Sequence, residues 1–182
     1  MRVIAGAARR TALLAPQGLN TRPTADRIKE SLFNIISFDV PGARFLDVFC
    51  GSGAIGIEAL SRGASEAFFV DNSQEAIDIV HENLKRTNMA LRATVLNMNA
   101  QKAISKLEQE DQYFDIIFLD PPYGDSLISH VVDDIGILLA DSGILIAECS
   151  AANTQVTSEH LRKYDEREYG NTRLLFYKRN LD

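Results

Sequence analysis

The chain has 182 residues, 46% of them hydrophobic and 24% charged, with a net charge of −6. That length and balance fit one globular domain with a core of its own and exclude a disordered chain, and no apolar run reaches the length of a membrane span. The negative total argues against a nucleic-acid partner until its distribution is considered. Residues 1–30 carry Arg2, Arg9, Arg10, Arg22, Arg27 and Lys29 against Asp26 and Glu30, a local balance of +4 that leaves −10 for the remainder. A basic segment on an acidic body reads either as an electrostatic footprint for phosphates or as a solvated surface.

In chain order, residues 1–23 read as a short extended arm or hairpin punctuated by Pro16 and Gly18. Met1–Gly6 holds no apolar signal-peptide region, so a cytoplasmic protein is expected. Thr24, preceded by Pro23, predicts the start of a helix with Ile28, Leu32, Phe33, Ile35 and Ile36 at helical spacing. From residue 43 strands and helices alternate: strand 44–49, helix 54–62, strand 66–70, helix 73–87, strand 92–96, helix 100–110, strand 114–119, helix 126–139, strand 143–148 and a short helix over 158–163. Two strands flanking Gly170-Asn171 close the chain as a hairpin. The pattern predicts a single domain over 1–182, with an arm over 1–23 and a helix plus Rossmann-like core over 24–182. Its sheet is seven-stranded and mostly parallel, with helices on both faces and one antiparallel strand from the C-terminal hairpin. Ligands in such sheets sit at the C-terminal ends of the strands, near the switch in strand order.

Two loops at those ends carry chemistry. Asp47-Val48-Phe49-Cys50-Gly51-Ser52-Gly53-Ala54-Ile55-Gly56 joins the first sheet strand to its helix. Gly51 and Gly53 permit a tight turn close to a ligand, and Gly56 permits close helix–sheet contact. A glycine pattern of this kind alone often marks a dinucleotide site. Here Asp47 precedes the first glycine by four residues, and Asp71 ends the next strand, where a carboxylate accepts from both ribose hydroxyls. Two carboxylates repel a pyrophosphate and attract a sulfonium and an ammonium, which favours S-adenosylmethionine over NAD. Asn99 reads either as an adenine partner or as an ordinary helix cap. Cys50 reads as a space-filling residue, with no neighbouring base to activate it. The second loop, Asp120-Pro121-Pro122-Tyr123, follows a buried strand. Its rigid prolines, carboxylate, free carbonyls and flat ring suit a planar amine-bearing group, or else form a strand-ending turn with a packing tyrosine.

With both loops in place, the chain resembles the class I S-adenosylmethionine-dependent methyltransferases, and within them the RsmD family of bacterial 16S rRNA guanine-N2 methyltransferases. The likeness rests on Met1–Gly6, Thr21-Arg22-Pro23-Thr24-Ala25-Asp26-Arg27, the run from Leu46 to Gly56, Glu58 to Gly63, Asp120 to Tyr123 and Tyr169 to Arg173. The chain departs from the family in the arm, where Ala7-Ala8 precede Arg9-Arg10. The resemblance implies a cofactor set of Asp47, Phe49, Gly51, Ser52, Gly53, Asp71, Asn72, Asn99 and Ala100, and a catalytic set of Asp120, Pro121, Pro122 and Tyr123. It implies rRNA contacts at Arg2, Arg9, Arg10, Arg22 and Arg27, and a partner in 16S rRNA within the small ribosomal subunit or its assembly intermediate. A monomer without metal is expected, since Cys50, Cys149 and the three scattered histidines have no ligand spacing. The competing readings are an adenine-N6 DNA methyltransferase, a small-molecule or protein-glutamine methyltransferase, and a non-catalytic RNA-binding assembly factor of the same fold.

Overall fold

The computed structural model describes residues 1–16, 23–121, 125–152 and 156–180. Arg22, Pro122 and Tyr123, all expected site residues, lie outside the described residues. The arm is a small hairpin, with Arg2 bridged to Ala12 and Val3 N–H donating to the Thr11 carbonyl at 3.0 Å. Helix α1 (Pro23–Ile35) then precedes β1 (Arg44–Val48), α2 (Ala54–Ser61), β2 (Glu66–Asp71), α3 (Gln74–Arg86) and β3 (Ala93–Asn97). Helix α4 (Ala100–Gln109), β4 (Phe114–Leu119), α5 (Asp125–Ile135), β5 (Leu139–Ser150), β6 (Leu161–Tyr169) and β7 (Thr172–Arg179) complete the chain.

One seven-stranded sheet runs in the order β3-β2-β1-β4-β5-β7-β6. Strands β1 to β5 pair in parallel, and β7 runs antiparallel between β5 and β6. This is the expected Rossmann-like arrangement, with the strand order turning outward in both directions from β1 and β4. The central strands are apolar on both sides because both sheet faces are covered. One face packs Phe45, Ile116, Phe118, Ile144 and Ile146 under α1, α2, α3 and the arm. The other packs Leu46, Ile117, Leu119 and Leu145 under α4 and α5. Each fully buried Leu, Ile or Phe contributes about 1.5–3 kcal/mol, so this two-sided burial dominates the fold's stability.

Local signals set the helix limits. Ser73 caps α3 by accepting from the Ala76 N–H at 3.3 Å, and Lys85 and Arg86 complement the dipole at its other end. The helix expected over 158–163 does not form. Ser158 accepts from the Leu161 N–H at 2.9 Å, as a cap would, but the chain enters β6 at Leu161 instead. Strand β6 lies at the sheet edge and is mostly exposed, so its sequence lacks apolar alternation, and pairing with β7 decides its conformation. Helix α5 gives way at Gly136 to a single 3-10 turn, and β5 begins earlier than expected, at Leu139.

Candidate active site

Register and alternation bring the acidic residues together. Asp47 pairs with Phe69 of β2 and Phe118 of β4, so it points to the same sheet face as they do. Two residues beyond Phe69 and Phe118 lie Asp71 and Asp120, and two beyond Ile146, the β5 partner of Phe118, lies Glu148. The period of two therefore carries all four carboxylates to one face at the C-terminal end of the sheet. Asp71, Asp120 and Glu148 line a cavity of about 530 Å³ there. The glycine loop supplies Phe49, Cys50, Gly51 and Ser52 to its wall, Asn72 follows Asp71, and α1 closes it with Asp26, Ile28, Lys29 and Leu32.

The loop is built as its sequence suggests. Phe49, Gly51 and Gly53 all have positive φ, at 63°, 51° and 73°. A Cβ at Gly56 would stand 2.4 Å from the Phe69 ring, so only glycine lets α2 approach β2 this closely. Asp47 is buried beneath the loop, and its carboxylate accepts from the Gly56 N–H at 2.9 Å. Burial pushes the Asp47 carboxyl well above the usual carboxylate range against the pull of that N–H, with the Asp120 and Asp71 charges adding to it. Asp47 thus fastens the loop to the helix, whereas Asp71 reaches the cavity while accepting from the Gly51 and Ser73 N–H groups, each at 2.9 Å.

Asn99 caps α4, accepting from the Lys102 N–H at 2.9 Å, and neither it nor Ala100 is among the residues lining the cavity. The Cys50 thiol is driven upward, chiefly by burial, and is no thiolate nucleophile. Burial raises the Asp120 carboxyl to about 6. Glu148 is pushed up to about 8 by burial and by the Asp120 charge. Neither side chain has a hydrogen-bond or ion-pair partner among the described residues. Glu148 was missed by sequence reasoning. Its signal is the alternation Ile144, Ile146, Glu148, which copies Ile116, Phe118, Asp120 once β4 and β5 are known to be neighbours.

A second missed residue, Glu58, fixes the arm beside the cavity. It is fully buried in α2 and accepts from the Ile4 and Ala5 N–H groups at 2.8 and 3.0 Å and from Arg62 at 2.8 Å. Lys29, also buried, lies 3.5 Å from Glu58 and donates to the Arg2 carbonyl at 2.7 Å. Gly6, at φ 80°, lies over Ser61 so tightly that a Cβ would fall 1.8 Å from its carbonyl oxygen. Asn83 then joins arm to loop, donating to both the Leu14 and Ser52 carbonyls. These bonds hold Arg9 and Arg10 exposed at the turn of a fixed hairpin, with Arg2 and Arg27 also exposed. A rigid basic projection next to an acidic cavity can dock a polyanion and present part of it to the cavity.

The family model described as Conserved hypothetical protein 95 matches residues 1–178. "Putative rRNA methyltransferase YlbH" of Bacillus subtilis is 41% identical over 150 residues, covering 81% of this chain and 82% of the relative. "Ribosomal RNA small subunit methyltransferase D" of Escherichia coli K12 is 37% identical over 148 residues, covering 81% of this chain and 71% of the relative. Among solved structures, "Putative methyltransferase yhhF from Escherichia coli" superposes with a TM-score of 0.85 at 34% identity, covering 98% of this chain and 97% of that one.

Proposed function

The chain belongs to the RsmD family, and from that membership we propose that it transfers a methyl group from S-adenosylmethionine to the exocyclic N2 amine of a guanine in 16S rRNA of the small ribosomal subunit. The observation that carries this reading is the single cavity shared by the glycine loop, Asp71 and Asp120. It offers one wall to a nucleoside cofactor and one carboxylate to an amine.

Bound there, S-adenosylmethionine supplies an electrophilic methyl group on a sulfonium. The residues present suit it. Asp71 offers carboxylate oxygens for ribose hydroxyls, Phe49 and Asn72 flank it, and the acidic lining favours the cationic sulfur. A guanine amine is a weak nucleophile because its lone pair is delocalised into the ring. Asp120 and the Pro121 carbonyl accept its two N–H bonds and favour a pyramidal nitrogen whose lone pair attacks the methyl carbon. The sulfonium would act as the leaving group and keep the electron pair of its bond to the methyl carbon, and Asp120 would take the proton released from nitrogen. General-base help of this kind is worth about 10²–10⁴-fold, and orientation of the two reactants supplies most of the rest. Pro122 and Tyr123 complete the motif in this proposal, with the tyrosine ring stacking on a base turned out of its helix. The exposed arm arginines grip the RNA phosphates, and Asn99 retains its sequence-based place as an adenine neighbour in addition to capping α4.

The test is transfer of radiolabelled methyl groups from S-adenosylmethionine to undermodified small subunits, free 16S rRNA and duplex DNA. Label in the rRNA, free or assembled, supports the reading. Label in DNA alone supports an adenine-N6 DNA methyltransferase, and no label with any substrate supports a non-catalytic assembly factor.

A further inference from the structure

We propose that Glu148 is the second acceptor for the target base, receiving the ring N1–H of guanine while Asp120 receives the exocyclic amine, so that the two side chains select guanine by its hydrogen-bonding edge. This rests on the guanine reading above and adds a selectivity residue to it.

Asp120 and Glu148 extend adjacent parallel strands on the same sheet face and line the same cavity. Neither has a partner among the described residues. The one cationic side chain in the cavity's described lining is Lys29, and its ammonium is committed to the Arg2 carbonyl and Glu58. Glu148 is half-buried and Asp120 is exposed at the cavity. A half-buried carboxyl group without a donor is costly to a folded chain, and a ligand that covers both groups and brings donors to both relieves that cost. Desolvation raises the proton affinity of both groups, and the Asp120 charge adds to it at Glu148.

The shape of the cavity narrows the class of donor. Ile28 and Leu32 of α1 and Phe118 of β4 line it together with the two carboxyl groups. Apolar walls suit the faces of a planar ring, and paired acceptors suit an edge with two neighbouring donors. Guanine presents such an edge, with N1–H beside the N2 amine. Adenine presents its amine beside an unprotonated N1, itself an acceptor, so an ionised Glu148 has nothing to receive from it. The N1–H donor of guanine favours the ionised form of Glu148, which only accepts, whereas a protonated Glu148 would itself donate to an unprotonated N1. Asp71 lies on β2 and serves the cofactor wall of the cavity, leaving Glu148, two strands beyond β1, for the base.

The experiment compares guanine with 2-aminopurine, which keeps the exocyclic amine and lacks N1–H. The methylated nucleotide is mapped first, and 16S rRNA carrying either base at that position is then assembled by ligation into small subunits. For E148A, kcat/KM toward guanine should fall about tenfold or more, while transfer to 2-aminopurine changes by less than about threefold. E148Q keeps an acceptor oxygen and gains a donor for the unprotonated N1. It should retain most guanine transfer and lower the preference for guanine over 2-aminopurine severalfold. An unchanged preference in E148Q, or equal losses on both bases in E148A, overturns the proposal. Failure of the parent protein to methylate guanine at all would defeat the functional reading before any variant is made. Calorimetry with S-adenosylmethionine confirms that each variant keeps a folded cofactor site.

Discussion

Replacing Glu58 with alanine should detach the N-terminal arm. The side chain is fully buried, binds two backbone N–H groups of the arm and faces the cations of Lys29 and Arg62. Its loss leaves Lys29, only 4% exposed in its side chain, without its counter-charge. Breaking a buried pair in this way costs about 3–5 kcal/mol, most of it the penalty of the charge left behind. For a domain of this size each kcal/mol moves the melting temperature roughly 2–4 °C, so E58A should melt about 6–20 °C lower. Burial already lowers the Lys29 pKa, so the deficit should shrink toward alkaline pH, where the orphaned ammonium sheds its proton. The control is E110A. It removes the Lys106–Glu110 pair, whose side chains are 41% and 48% exposed, and should move the melting temperature by no more than about 2 °C. Circular dichroism gives the melting temperatures, and amide exchange at Ile4 and Ala5 reports whether the arm opens. An E58A protein that melts with the E110A control and keeps those amides protected would refute the reasoning.

Three further outcomes are expected. D120N should lose methyl transfer by about 10²–10⁴-fold while binding S-adenosylmethionine within about threefold of the parent, and parental turnover would remove Asp120 from the chemistry. Burial raises both carboxyl groups of Asp120 and Glu148, the latter also through the Asp120 charge, to about 6 and about 8. The folded state therefore holds more protons than the unfolded chain above the ordinary carboxylate range, and stability falls as pH rises through that window toward 8. Urea unfolding across the window should show this decline, with a shallower one in E148Q; identical slopes would contradict the assignment. Charge reversal at Arg9 and Arg10 should weaken rRNA binding and reduce its salt slope by about 1–2, whereas an unchanged slope returns both to a solvated surface.

The parallel core was readable from residue order because strands buried on both faces, such as Phe114–Leu119, are continuous apolar runs between helical periods. The glycine loop, Asp71 and Asp120 were readable for a related reason, since each sits where such a run stops. What escaped was set by neighbours in space. Strand β6 is an edge strand whose exposed, charged sequence carries no apolar alternation, so nothing in residues 158–163 marked the entry into a strand. Glu148 lies within β5 with no turn chemistry around it, and it becomes significant only when β5 is placed beside β4. Glu58 looks like any surface glutamate on a helix until the arm folds over it. The loop anchor at Asp47 also escaped, because only the folded loop brings the Gly56 N–H within reach of its carboxylate.

Nucleoside mass spectrometry of small subunits, taken from cells lacking this methylation and incubated with the protein and S-adenosylmethionine, tests the central claim most directly. One new N2-methylguanosine in 16S rRNA is expected, together with its loss with D120A. N6-methyladenine in the product, or N2-methylguanosine that persists with D120A, would contradict it.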